Sequence, residues 1–542
     1  MVSSAQNETV SSVNPLFRAS SWLYKKYWLG IVPAVILLLF RSFVPEYLPN
    51  EAVRLVSLRQ FIDPSFLSQE WLHLAGYDED RLTFGFKLLF APLWLCTSQG
   101  VLIALLGRLV VWAILFYSIL RLARALNIPR YALAWGLPLW LCHQTFGAGE
   151  FVFGGLEGKC LAYAGIFLAI EALLSGRLMR AAVFIGLNFW FHVPVGLWGG
   201  LAVCASLLSQ PNLSKRRLFY FAAVAIGLCL PMIWIALQYA GGMGLVGAHP
   251  EADWLVVVFR NPHHLDPAYF HGWPELLRLA ICAGVAIAGL SALVSRSHLK
   301  LLACFLLMLL LEFGAGLLAW QFGLLWYLKT YPFRVADVLV PFLFFLVLPA
   351  FVVNLRHWAD KTKYFTHVNA AGKNLASAVV IVAFAVWSLA FFVRSNRLVP
   401  YQFDTSWVSY LHHKDTPLSE MTRWVKINTP GRAVIIAPPW LTSFSLDSER
   451  AEVVVSNRNP HNDLIVEWYR RYIALNGGPF HSMGADANSE MESDFPRLSS
   501  SQLDAIRKQF GGEYYLTTIK RSDLGTAPIH EDGEYFLYKL TR

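Results

Sequence analysis

Charge is the first thing this sequence is short of. Asp, Glu, Lys and Arg supply 15% of its 542 residues, where soluble globular domains carry about a quarter. Hydrophobic residues make up 56% and the mean hydropathy is +0.45. Several apolar runs reach the roughly 20 residues that cross about 30 Å of hydrocarbon. A soluble fold is excluded, and a polytopic α-helical membrane protein is expected. The runs are long and continuous, which also excludes the short alternating segments of a β-barrel. Cysteine is sparse too. Cys96, Cys142, Cys160, Cys204, Cys229, Cys282 and Cys304 all sit in or beside apolar segments, and the polar C-terminal part has none. No disulfide framework or CxxC metal site is implied, and the thiols read as small apolar packing groups. No internal repeat is visible. The net charge of +9 is a topology signal rather than a nucleic-acid footprint.

What is present is a series of apolar runs: 28–44, 100–120, 131–145, 158–174, 181–192, 193–208, 218–239, 274–294, 301–320, 335–353 and 376–392. They predict about eleven transmembrane helices. The stretch 181–208 is too long for one simple span and breaks at "FHVPVG" into two short helices. The first run follows Lys25 and Lys26 and lacks a small-residue cleavage pattern, so it reads as a retained anchor. With residues 1–27 as a cytoplasmic tail, the basic clusters 121–130, 177–180, 215–217, 296–300 and 356–373 all fall inside, as the positive-inside rule requires. "TFGFKLLFAPLWL" (83–95) then becomes an interfacial helix in a large outer loop, 45–99, of a transmembrane domain 28–394. The outer face also receives "GAGEFVFGGLEG", 240–273 and a periplasmic or extracellular tail, 395–542. No N-x-[ST] sequon falls on that face, which points to a bacterial inner (plasma) membrane. The tail alternates helical runs ("LSEMTRWVKI", "NDLIVEWYRRYIAL", "SQLDAIRKQF") with strands ("RAVIIAPP", "AEVVVSN", "EYYLTT", "YFLYKL"), the pattern of a small soluble α/β domain. It has no GxGxxG or P-loop spacing. Its stretch "NGGPFHSMGADANSEMESDF" reads as a mobile loop.

Ionisable groups at membrane depth cost about 2.5–3.5 kcal/mol on insertion scales, so each needs a reason. In "YPFRVADVLVPF" (331–342), Arg334 and Asp337 stand at the mouth of a span, after Lys329 and Tyr331. Arg334 is either a snorkelling cation or a guanidinium oriented by an intrahelical pair with Asp337 to receive a phosphate or pyrophosphate. The outer loop opens with Asn50, a possible helix cap, and an amphipathic helix whose first residue is Glu51. That carboxylate either complements the helix dipole or takes a proton from a nucleophile as general base. Asp63 reads as a turn residue. Glu70 is a second candidate base, or an exposed loop acid. Glu150, Glu157 and Lys159 lie among glycines that let backbone approach a ligand or simply make turns. His192 stands at the break between two short helices, as a structural or a substrate-binding residue. In "RNPHHLDPAYFHGW" (260–273), His263 and His264 line a substrate passage; a divalent metal there is the alternative.

The order of parts (a span, a large outer loop opening on a carboxylate, a second loop with acids, a late basic loop, an outer α/β domain) resembles the GT-C class of integral-membrane glycosyltransferases. "NEAVRLVSLRQF", "GGLEGK" and "YPFRVADV" carry the resemblance, with Glu51 where many members have aspartate. The tail "WVKINTPGRAVIIAPPW…SERAEVVVSNRNPHN" is similar to outer domains of uncharacterised bacterial GT-C-like proteins. The resemblance implies a polyprenyl-phosphate-linked sugar donor and hexosyl or pentosyl transfer to a glycan, lipid or protein acceptor on the outer face. It casts Glu51 or Glu70 as base and Arg334, helped by Lys329, as holder of the lipid phosphate. One base and no enzyme nucleophile implies inversion. Two other readings stay open: a transporter or flippase for a lipid-linked or anionic substrate, and a non-catalytic envelope-polysaccharide assembly protein. Convergence of Glu51, Glu157 and Arg334 on one outward site separates the first reading from a transporter's central path.

Overall fold

The protein is described from a computed structural model, over residues 27–48, 50–77, 79–210, 213–241, 249–361, 370–395 and 416–540. Every apolar run noted above is helical. After a 3-10 turn at Tyr27–Ile31 come α1 (Val32–Ser42), α2 (Glu51–Ile62, in the first large loop), α3 (Gly100–Ala125), α4 (Arg130–Cys142), α5 (Gly158–Leu174), α6 (Leu178–Phe191), α7 (Val193–Ser206), α8 (Lys215–Gly241), α9 (Gly272–Leu290), α10 (Arg296–Gln321), α11 (Arg334–Lys361) and α12 (Ala370–Ser395). Five of these, α3, α8, α9, α10 and α11, are long and apolar enough to cross a membrane among the described residues. Length and composition therefore support five crossings, against the eleven expected. Helices α4, α5, α6 and α7 are shorter, at 13, 17, 14 and 14 residues. Between α6 and α7, Pro194 at the second position of α7 ends the preceding hydrogen-bond ladder, and His192 Nδ1 accepts from Val195 N at 3.3 Å to cap the new helix. The expected interfacial helix at 83–95 is two short helices, Phe84–Phe90 and Leu93–Cys96, the first packed on α6.

The membrane core is organised around α11. Its apolar window is 83% buried within the protein, while that of α8 is only 22% buried, so α11 is central and α8 peripheral. Close approach of α4 to α11 depends on Gly136, where a Cβ would lie 2.1 Å from the Phe345 carbonyl oxygen.

The C-terminal region is a small α/β domain, as expected, although 396–415 lie outside the described residues, as do nearly all of 1–27. Helix α13 (Pro417–Asn428) opens it under a capping box from Thr416 and Ser419. A mixed five-stranded sheet follows, in the order β2-β1-β3-β5-β4: β1 (Val434–Ile436), β2 (Ala451–Glu452), β3 (Tyr514–Thr517), β4 (His530–Asp532) and β5 (Tyr535–Lys539). β1 pairs parallel with β2 and β3, and β5 pairs antiparallel with β3 and β4. β4 was not anticipated; "HED" is short and polar, and a turn at Gly533 (φ +54°) joins it to β5. Helices α14 (Phe444–Ser448), α15 (Leu464–Leu475), α16 (Ala485–Asp494) and α17 (Ser500–Phe510) complete the domain. The stretch read as a mobile loop is partly α16, and Glu490 on it gathers the amides of His481 and Ser482, the Ser482 hydroxyl and the Asn476 side chain at 2.7–3.4 Å.

This domain sits on the loops at one end of the helices. Tyr47 Oη donates to Asp447 at 3.0 Å, Arg59 pairs with Glu449 at 2.6 Å, and Gly484 N donates to the Phe259 carbonyl at 2.8 Å. Those contacts fix which loops can face the domain, and therefore where a site can form.

Candidate functional site

Asp337 organises the site from the first turn of α11. Its carboxylate accepts from the backbone N–H groups of Phe146 (3.0 Å), Gly147 (3.1 and 3.3 Å) and Ala148 (2.7 Å). It therefore does not serve as the intrahelical partner expected for Arg334. The reason is arithmetic: the glycine-rich turn offers three backbone donors that burial would otherwise leave unpaired, more than one guanidinium on the same helix can replace.

Folding that loop down delivers Glu150 to Arg334. Arg334 Nε contacts Glu150 Oε2, and the guanidinium carbon lies 4.1 Å from the centre of the Tyr331 ring, a cation–π distance. Lys159 Nζ bridges Glu150 Oε1 at 2.6 Å and Glu157 Oε2 at 3.0 Å. Glu157 Oε1 accepts from Asn50 Nδ2 at 3.2 Å. Asn50 is thus not a side-chain helix cap; it adopts φ +69° and turns its amide to Glu157. Glu51, the next residue, is wholly buried. It receives Arg108 in a two-point pair, Nε to Oε1 at 2.7 Å and Nη2 to Oε2 at 2.5 Å. It also accepts from Leu156 N and Leu48 N, each at 2.7 Å. Glu157, Lys159, Glu150 and Arg334 therefore form one charge network, and Asn50, bonded to Glu157, connects it through the backbone to the separate Glu51–Arg108 pair.

The remaining candidates surround this network. Lys329 Nζ pairs with Asp253 Oδ1 at 2.5 Å. Glu70, expected either as a base or as an exposed acid, is buried; it caps the short helix Trp71–Leu74 through His73 N at 3.0 Å and stands 3.5 Å from Arg458 of the C-terminal domain. The rings of His263 and His264 lie 4.0 Å apart, and His264 Nδ1 is 2.5 Å from the Ala148 carbonyl. Tyr331 stands between His264, at 6.3 Å, and His461, at 6.2 Å, ring centre to ring centre. His192, by contrast, is spent on capping α7. In 260–273, where a metal was only the alternative to a substrate passage, Asp266 caps the turn Pro267–Phe270 through Ala268 N. No group of three or more His, Cys, Asp or Glu among the described residues is placed to hold a metal ion.

Electrostatically the site is cationic. Burial alone would raise the pKa of Glu150, but Arg334 and Lys159 outweigh it and hold the carboxyl below its usual range. Burial, then Arg260 and Arg334, pull His263 down to about 4. His461 also falls to about 4, through burial and the fields of Arg54, Arg334, Lys329 and Arg260. In the sequence, Arg54 reads as the polar side of an amphipathic helix and Arg108 as a mid-span charge favouring a transporter; Arg260 and His461 were passed over. A signal for both exists: Arg-Asn-Pro-His occurs at 260–263 and again at 458–461.

The model of the family "Domain of unknown function (DUF6798)" matches residues 416–475. No curated protein matches the chain. Among solved structures, the chain is similar to the archaeal oligosaccharyltransferase AglB from Archaeoglobus fulgidus, in complex with an inhibitory peptide and a dolichol-phosphate. That alignment has a TM-score of 0.50 and 11% identity, and covers 92% of this chain and 70% of that one. The apo form of the Archaeoglobus fulgidus oligosaccharyltransferase aligns over the same shares with a TM-score of 0.46 and 11% identity. At this identity the likeness is one of fold.

Proposed function

We propose that this protein, sharing its fold with an oligosaccharyltransferase, is a GT-C membrane glycosyltransferase. In this reading it moves a sugar from a polyprenyl-phosphate-linked donor to an acceptor at the domain-bearing end of its helices. The observation that carries the reading is that Arg334, stacked on Tyr331, lies beside His461 of the C-terminal domain, whose ring meets Tyr331 at 6.2 Å and feels the fields of Arg54, Arg334, Lys329 and Arg260. Preorganised cations in a water-poor site are suited to bind a lipid phosphate and to stabilise the charge that grows on it as the sugar departs. Arg334 is the central member, held by Glu150 and stacked on Tyr331. The positive-inside bias puts this end on the outer side of the membrane, in a bacterial plasma membrane. Direct displacement without an enzyme nucleophile inverts the anomeric centre. Glu51 is assigned to the framework rather than to the base, because four donors already occupy its two oxygens.

The test is transfer from radiolabelled polyprenyl-phosphate sugars by the full-length protein in nanodiscs. Loss of a charge-assisted contact of about 1.5–3 kcal/mol should raise the donor KM of Arg334→Ala by roughly 10- to 100-fold. Wild-type protein that neither binds polyprenyl phosphate nor transfers sugar, or an Arg334→Ala variant with an unchanged donor KM, would overturn the reading.

A further inference from the structure

The two Arg-Asn-Pro-His segments are brought together by the fold. Arg260 of the first donates through Nη2 to Asn457, just ahead of the second, at 3.1 Å. Arg458 stands 3.5 Å from Glu70, and Asp463 stands 3.4 Å from His249. Asn462 accepts from Leu464 N at 3.2 Å, fixing the turn into α15. His461 is therefore held from both sides by ties to the membrane part of the chain. Its ring meets Tyr331 edge-on at 6.2 Å, and Tyr331 carries the Arg334 guanidinium. Its Nδ1 is buried and meets no hydrogen-bond partner among the described residues. Leaving such an atom unpaired costs about 1–3 kcal/mol, so it calls for an explanation.

We propose that His461, supplied by the C-terminal domain, is the catalytic proton acceptor for the attacking hydroxyl in the glycosyl transfer proposed above, on which this inference rests. The acceptor oxygen bonds to the anomeric carbon while the bond from that carbon to the donor phosphate oxygen breaks, its electron pair leaving on the phosphate. The hydroxyl proton passes to Nδ1 and is later lost to water. The groups acting on the ring are Arg54 from α2, Arg260 from the 255–260 turn, and Lys329 and Arg334 on either side of Tyr331. His263 and His264 lie on the neighbouring segment, with Glu150 and Asp253 already spent on Arg334 and Lys329. Four cations and burial keep the free ring neutral, so it holds a lone pair at pH 7. An anionic donor seated among those cations offsets their field, and proton affinity rises. Donor binding thus primes the base, and an empty site holds a weak one.

Two measurements on the full-length protein in nanodiscs test this. General-base loss is worth 10²–10⁴-fold; His461→Gln should lower kcat by roughly that factor while leaving the donor KM within about threefold. With ring-13C histidine and His461→Gln to assign the signal, NMR should show His461 titrating near 4 in the free protein and at least about one unit higher with polyprenyl phosphate bound. A His461→Gln variant with kcat within about threefold of wild type, or a ring that titrates near 6.5 and ignores polyprenyl phosphate, would overturn this role while leaving the transferase reading intact. Failure of wild-type protein to transfer any sugar would bring down both.

Discussion

Glu51 and Arg108 are a buried pair with no exposure on either side chain, and their value is in what happens when one is removed. Replacing a single partner leaves an uncompensated buried charge, at a cost of about 3–5 kcal/mol. Glu51→Gln should therefore lower the thermal unfolding temperature of the purified protein, and adding Arg108→Leu should restore much of the loss. A Glu51→Gln variant with wild-type thermal stability but depressed turnover would return this residue to the role of base. Asp337→Asn makes a second case. An amide that keeps one acceptor oxygen cannot satisfy the N–H groups of Phe146, Gly147 and Ala148 together, so hydrogen exchange at those three amides should speed up by about tenfold or more. Arg334, Asp337, Glu150 and Lys159 all stood out in the sequence, because ionisable groups beside apolar runs are conspicuous. Their pairing did not. Local spacing favoured Arg334 with Asp337, three residues apart, but the partner of Asp337 is a backbone turn 190 residues away.

At the scale of elements, the helical runs and four of the five strands were legible, because apolar periodicity is a local property of the chain. β4 and α16 were not: both are polar, and they exist because β5 and Glu490 hold them in place. β2 carries a testable anomaly. Glu452 is buried and accepts from Ser445 N at 3.0 Å through Oε1, while Oε2 meets no hydrogen-bond partner among the described residues. Burial pushes its carboxyl up to about 8. A carboxyl raised above its unfolded value, near 4.5, favours folding fully below that value and loses the contribution as pH climbs through about 8. Glu452→Gln should remove this dependence. Its unfolding temperature relative to wild type should rise from about pH 5 to about pH 8 and level off above, and a difference that stays flat across that range would contradict the assignment.

For the whole molecule, the decisive arrangement is the seating of the C-terminal domain on the loops, through Tyr47–Asp447, Arg59–Glu449 and Arg458–Glu70. Arg59 and Glu449 are partly exposed, so their share of the docking weakens as salt rises. A chain carrying both Arg59→Ala and Arg458→Ala should take up deuterium faster across 444–463. It should also transfer sugar more slowly, with the helical domain still folded; unchanged uptake would mean that the apolar contacts alone hold the domain. The sequence by itself determined the material of each part. It set apolar helices for a membrane and a small mixed domain outside it, because hydrophobic content and periodicity are written in consecutive residues. Only the tertiary structure decided which charges meet. Arg108 reaches Glu51 across 57 residues, and Arg260 reaches Asn457 across 197, because a charge removed from water takes whichever partner the packed backbone presents, and that geometry exists only once the helices and the domain have closed around it.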